Sequence, residues 1–314
     1  MNDSTKLRIV STIASATEIV CAMGLGQYLV GISHECDYPQ EIKGLPVVTR
    51  PRINIHASSL EIDKQVRDVV KNALSVYEVD SKKLAELAPT HIITQDQCEV
   101  CAVSIKDVET AMCELTGVNC RIISLRPNCL ADFFADLETI GKALSAEKQA
   151  SDLSAKLKHS IKTIEVAASK LNKPKVAAVE WIEPLMVSGN WMPELIDIAG
   201  AMPAFGEAGK HSPAISFNQL VDANPDFILV NPCGFTIDRT LQEMHLLEGK
   251  PEWRNLKAVQ TNKVFVLDGN QYFNRPGPRL LDSLEILAEI IHPEIFQFGH
   301  EDTGWLIPTK PMRA

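Results

Sequence analysis

"SAEKQASDLSAKLKHSIKTIEVAASKLN", residues 145–172, contains neither glycine nor proline, and Leu153, Leu157, Ile161, Ile164 and Leu171 recur along it at helical spacing. The stretch is predicted to form one long helix. At about 1.5 Å per residue it would cross roughly 40 Å, the width of a small domain. On either side, strand-like runs end in short polar or glycine-containing loops and lead into helical patterns. They are "LRIVSTI", "YLVGIS", "THIIT" and "CRIISL" before it, and "KVAAVEW", "DFILV" and "KVFVL" after it. This alternation predicts parallel sheets flanked by helices. The expected class is α/β: two Rossmann-like lobes, residues 1–144 and 173–296, joined by the helix 145–172 and followed by a tail, 297–314. A helical junction, unlike a Gly/Ser-rich one, predicts lobes held near one angle over a permanent ligand cleft.

The chain has 314 residues, 45% hydrophobic and 23% charged, with a formal charge of -9 and a pI near 5.4. Nucleic acid and anionic membrane surfaces select dense basic patches, and none is visible. A small-molecule ligand is the expected partner. No apolar run approaches the roughly 20 residues that span a bilayer, so no membrane insertion is expected. The opening "MNDSTKLRIVSTIASATEIV" lacks the basic, apolar and small-residue regions of a secretory signal, which makes the expected location cytoplasmic. Eight cysteines in so long a chain are too sparse for a disulfide scaffold. They read as free thiols, metal ligands or catalytic groups.

In open parallel sheets ligands bind outside the carboxyl ends of the strands. The loops there are "HECD" (34–37), "QDQCEVC" (95–101), "EWIEP" (180–184), "NPCGF" (231–235) and "GNQYFNR" (269–275). Candidate ligand-binding residues are therefore His34, Glu35, Asp37, Gln95, Glu180, Trp181, Phe235, Tyr272, Phe273 and Arg275. The aromatics offer flat surfaces to a planar or apolar ligand, with packing between lobes as the competing reading. Glu180 either pairs with Arg275 or Arg279 or recognises a ligand donor. His211, in "GKHSP", is a lip residue or simply a solvated loop residue.

The soft donors fall in the same loops. His34, Cys36, Cys98 and Cys101 form a candidate set for zinc or another thiophilic ion, and Cys233 lies in a further ligand loop. A C-x-x-C without a second pair is weak by itself, and His34 taken alone is more often a hydrogen-bonded loop histidine than a ligand. Cys21, Cys113, Cys120 and Cys129 sit at positions where a thiol acts as a small hydrophobe. Cys98 or Cys36 beside His34 would also allow a thiolate–imidazole pair, so a metal- or thiol-dependent enzyme is the alternative function. No phosphate-cradling or dinucleotide fingerprint supports it. In "GLGQYLVG" the glycine stops a helix.

Three stretches resemble the helix-linked periplasmic binding proteins that deliver cobalamin and iron-siderophores to importers. They are "RIVSTIASATEIVCAMGLGQYLVGISHECDYP", in which Ser15 or Thr17 would cap a helix carrying Glu18, "PLMVSGNWMPELIDIAGAMPAF" and "NQYFNRPGPRLLDSLEILAEI". With "LAPTHII" and "ANPDFILV", the resemblance covers about residues 7–293. It implies a binding protein whose ligand is a corrinoid, a tetrapyrrole-like compound or a metal chelate. The departures bear on partners. Where the cobalamin type carries a docking glutamate on each lobe, this chain has Lys82 and Asn218, so permease docking is doubtful. The tyrosine before D-Y-P falls on Glu35, and two ligand-contacting tryptophans fall near Val76 and Ser212, so cobalamin specificity is not carried over by those contacts.

Overall fold

A computed structural model describes residues 7–71, 76–96 and 120–308. The chain divides into two compact units. One comprises Met1–Ala57, Glu61–Pro127 and Ala131–Lys156; the other comprises Ser58–Leu60, Asn128–Leu130 and Leu157–Ala314. The division falls inside a single helix, Glu147–Ala168. That helix is 22 residues long, about 33 Å, and is shorter at both ends than the uninterrupted pattern implies. Ser145 takes a left-handed conformation at φ 55° just ahead of it, and Leu171 closes a turn on the Ala168 carbonyl just beyond it. Leu157 and Ile164 are buried, together with Ala150 and Ala168, while Leu153 and Ile161 are half-buried. Among the described residues, no helix is long and apolar enough to cross a membrane.

The first unit holds β1 (Ile9–Ser11), β2 (Leu29–Gly31), β3 (Thr49–Pro51), β4 (Tyr77–Val79), β5 (His91–Gln95) and β6 (Arg121–Leu125). Its main sheet runs β2-β1-β5-β6, parallel throughout, while β3 and β4 form a separate antiparallel pair. The order reverses at β1, because the chain passes to β2 on one side and returns to β5 on the other. Val10, Val48, Leu84 and Ile92 are buried together in its core. The helix after β1, Ala14–Ala22, begins earlier than a Ser15 or Thr17 cap would place it. Its N-cap is Ile13, with no side-chain cap bond, and the Thr17 hydroxyl donates back to the Ile13 carbonyl at 3.4 Å. The helix does stop at the expected glycine: Gly24 has φ 74°, a conformation that costs glycine little.

The second unit holds β7 (Lys175–Trp181), β8 (Met186–Val187), β9 (Met202–Pro203), β10 (Phe227–Val230), β11 (Val264–Leu267) and β12 (Trp305–Leu306). Its sheet runs β12-β11-β10-β7-β8, with β9 also on β7. β9, β7, β10 and β11 are parallel, whereas β8 and β12 run antiparallel to their neighbours. All four residues of β10 and of β11 are buried, as expected for central strands covered on both faces. The segment read as a tail closes the sheet edge through β12. Here the order reverses at β7, so the carboxyl ends of β1 and β7 are the switch points where each sheet opens a crevice.

Candidate functional site

In the first unit the loop after β2 holds His34 by three contacts. The Thr49 hydroxyl accepts the His34 backbone N–H at 3.0 Å, lies 2.7 Å from Nδ1, and donates to Ser33 Oγ at 3.1 Å. The Tyr77 ring packs at a tilt of 59° with 4.9 Å between centroids. Burial lowers the His34 pKa to about 4, so the imidazole is neutral at physiological pH. Tyr77 donates to Glu35 Oε1 at 2.7 Å, which fixes the neighbouring side chain. Cys36 Sγ lies 3.1 Å from the Thr17 hydroxyl, and its amide turns back on the Ser33 carbonyl. Asp37 and Tyr38 are exposed, and the Tyr38–Pro39 peptide is cis.

Gln95 is buried at the end of β5, opposite Leu125. Next to it Asp96 pairs with Arg126. The Arg126 amide donates to Asp136 Oδ1 at 3.4 Å, while Asp136 Oδ2 is buried with no hydrogen-bond partner. Cys98 and Cys101, the remaining candidate soft ligands, lie outside the described residues, as does Cys113. Among the described residues no three His, Cys, Asp or Glu side chains converge to hold an ion. Cys21 and Cys120 have thiols pushed up to about 11 by burial first of all, consistent with packing roles.

In the second unit the register of β7 and β10 pairs Val179 with Val230, which sets Glu180 and Asn231 side by side at the sheet end. A relay runs from the Gly189 amide to Ser212 Oγ (3.0 Å) and from that hydroxyl to Glu180 Oε2 (2.9 Å). Burial raises the Glu180 pKa; Ser212, His211, Ser188 and the Gly189 amide pull it the other way. Its hydrogen bonds thus come from serines and an amide, not from Arg275 or Arg279. Those arginines are buried and donate to Asn270 Oδ1 (3.1 Å) and Gln271 Oε1 (3.4 Å). Asn231 is fully buried, with Nδ2 at 3.5 Å from Ser188 Oγ and Oδ1 without a hydrogen-bond partner.

The expected aromatic surface is only partly available. Trp181 is half-buried, with Nε1 donating to the Glu183 carbonyl at 3.1 Å and its ring 5.2 Å from Phe235. Phe235 is 4% exposed and is covered by the Arg239 guanidinium, 4.5 Å above its ring. Phe273, expected to face a ligand, is instead fully buried, and its carbonyl accepts the Trp191 indole N–H at 3.1 Å. The cause is the π-turn Gly269–Phe273, whose amides 270 and 271 bind the buried Asp268 carboxylate at 2.9 and 2.7 Å. That turn carries Phe273 inward and leaves Tyr272 half-buried, edge-on to His300. A Cβ at Gly269 would stand 2.1 Å from the Pro232 carbonyl oxygen, so only glycine allows this approach. His211 is exposed, with Nδ1 3.0 Å from the Ser212 carbonyl.

Sequence reading missed the residues that orient these groups: Ser33, Thr49 and Tyr77 around His34, and Ser188, Ser212 and Asn231 around Glu180. Of these, Asn231 lies in "NPCGF", one of the loops singled out at the strand ends. Ser212 serves Glu180, and Val76 is buried.

The profile of the family described as periplasmic binding protein matches residues 9–271. The chain is 25% identical over 298 residues to an uncharacterized ABC transporter substrate-binding lipoprotein, YvrC, of Bacillus subtilis, covering 92% of this chain and 81% of the relative. It is 23% identical to the vitamin B12-binding protein of Vibrio cholerae, covering 88% and 86%. Among solved structures, a possible iron-binding (periplasmic solute-binding) protein from Staphylococcus epidermidis superposes with a TM-score of 0.70 at 20% identity, covering 91% of this chain and 98% of that one.

Proposed function

The chain belongs to the periplasmic binding protein family, and from that premise we propose that its ligand is a metal-centred macrocycle, a corrinoid or a tetrapyrrole-like compound. One observation carries the reading: half-exposed flat rings stand beside hydrogen-bonding side chains at the strand ends. Tyr77 accompanies His34, Ser33 and Thr49 in one unit; Trp181 accompanies Glu180, Ser212 and Asn231 in the other. A large ligand with an apolar face and a polar rim needs both kinds of group. The vitamin B12-binding relative supports this ligand class. Gel filtration of the full chain with cobinamide, cyanocobalamin or hemin, read by visible absorbance, tests it. Co-elution of at least one is the expected result, and separation from all three would refute the reading.

We further propose that the protein works in the cytosol, apart from a cobalamin permease. Lys82 and Asn218 are exposed, and a lysine repels the permease arginines that a glutamate would attract. Fractionation of the source cell should recover the chain with cytosolic markers. Stimulation of a reconstituted permease ATPase would overturn this placement.

A further inference from the structure

We propose that residues 299–306 form a proton-operated latch: paired with Glu285, His300 holds this strap on the sheet edge and against Tyr272, and loss of the pair loosens both. The inference goes beyond the ligand reading and does not depend on which ligand binds. The strap is fastened at three points, all within the second unit. The first is the buried carboxylate of Glu289, on the helix Leu280–Ile291. It accepts the amides of Gly299 at 2.9 Å and His300 at 3.1 Å and the Trp305 indole N–H at 3.3 Å. The second is the sheet edge, where β12 pairs with β11 and the Gly304 carbonyl accepts the Asp268 amide at 2.9 Å. Gly304 lies so close to the helix that a Cβ there would stand 2.6 Å from Ile286 Cδ1. The third is ionisable: His300 Nε2 lies 3.0 Å from Glu285 Oε2, with the two side chains only 18% and 22% exposed.

The groups around His300 favour its charged form. Glu285, Asp282 and Glu289 act on it from the helix, and Glu301 and Asp302 follow it on the strap. The turn Gly269–Phe273 presents Tyr272, edge-on at 6.3 Å, and the Arg279 guanidinium stands 5.4 Å from that tyrosine ring. The Glu285 hydrogen bond raises the His300 pKa above 6.5, burial opposes the rise, and the charges of Glu285, Asp282 and Glu289 add to it. Because the folded-state value is the higher one, this fastening is complete below the ordinary histidine pKa and is lost as pH rises through the folded value. The neutral ring then keeps at most an ordinary hydrogen bond, roughly half as strong as the charge-assisted one. Asp268 passes the change on. Its amide binds the strap, and its carboxylate holds amides 270 and 271 of the turn that carries Tyr272. Strap and turn thus share one anchor, and opening the first loosens the second.

Hydrogen exchange of the full, ligand-free chain tests the latch, read residue by residue by NMR from about pH 6 to about pH 9 and corrected for intrinsic rates. In the native chain the His300 imidazole should titrate above 6.5. Across that titration the amides of Gly299, His300 and Asp268 should lose protection about fivefold, while those of β10 keep theirs. The Tyr272 ring signals should follow the same titration and stay fixed in His300→Gln. Glu285→Gln, which leaves the strap sequence intact, should flatten the exchange profile at the low protection that the native chain reaches at high pH. An imidazole that titrates at or below 6.5 in the native chain overturns the latch, whether or not the variants fold. So does strap protection that is flat with pH in the native chain, or a pH dependence that survives in Glu285→Gln. Loss of protection in β10 in step with the strap overturns it in favour of global unfolding.

Discussion

Asp136→Asn should favour stability by about 1–2 kcal/mol more at pH 8 than at pH 4. Burial raises the Asp136 pKa from 3.8 to about 7, the Arg126 amide opposes the rise, and Asp132 adds to it. Because the folded-state pKa is the higher one, the native chain binds more protons than the unfolded chain between those values. Stability therefore falls as pH climbs from about 4 to 7 and stays reduced above it. At about 1.36 kcal/mol per pH unit the full cost has an upper bound of roughly 4 kcal/mol. Asp136 is only half-buried, and solvent screening brings the expected value down to roughly 1–2 kcal/mol. Asparagine keeps the acceptor for the Arg126 amide but sets an NH₂ where Oδ2 has no partner, at a pH-independent cost of about 1 kcal/mol. The informative quantity is therefore the difference between variants at pH 8 minus that at pH 4, measured by urea denaturation. It should favour the variant by about 1–2 kcal/mol. Parallel stability curves for the two proteins across this range would show that the carboxyl is not desolvated as its surroundings imply.

Other outcomes follow from single contacts. Glu180→Ala should lower stability by about 1–3 kcal/mol by orphaning the Ser212 hydroxyl, whereas Glu180→Gln should keep that bond and lose stability less steeply at high pH; thermal melting of the two variants against pH checks both. Tyr77→Phe should cost roughly 1–2 kcal/mol through the lost bond to Glu35, and an unchanged denaturation midpoint would show that this bond is not formed in solution. Trp191→Phe leaves the Phe273 carbonyl without its indole donor and should cost about 1–3 kcal/mol, measured by chemical denaturation.

The seven strand-like runs and the glycine-free helix were legible because each carries its own pattern, and β5, β6, β7, β10 and β11 stand where those patterns end in loops. The pairs β3–β4, β7–β8, β7–β9 and β11–β12 were not, because segments of two or three residues have too few positions to show a period. They exist through the neighbour that accepts their hydrogen bonds. The same division holds at the candidate site. Placing His34, Gln95, Glu180 and Asn231 at strand ends required only the strand pattern and the rule that such loops bear ligands. Their chemistry is a matter of tertiary contacts: Thr49 reaches His34 across 15 residues, Tyr77 reaches Glu35 across 42, and Ser212 reaches Glu180 across 32. Tyr272 and Phe273 are adjacent in sequence and equally aromatic, yet one is half-exposed and the other has no exposed surface. The amides that Asp268 binds decide which way each ring turns, and no local pattern of side chains encodes that choice.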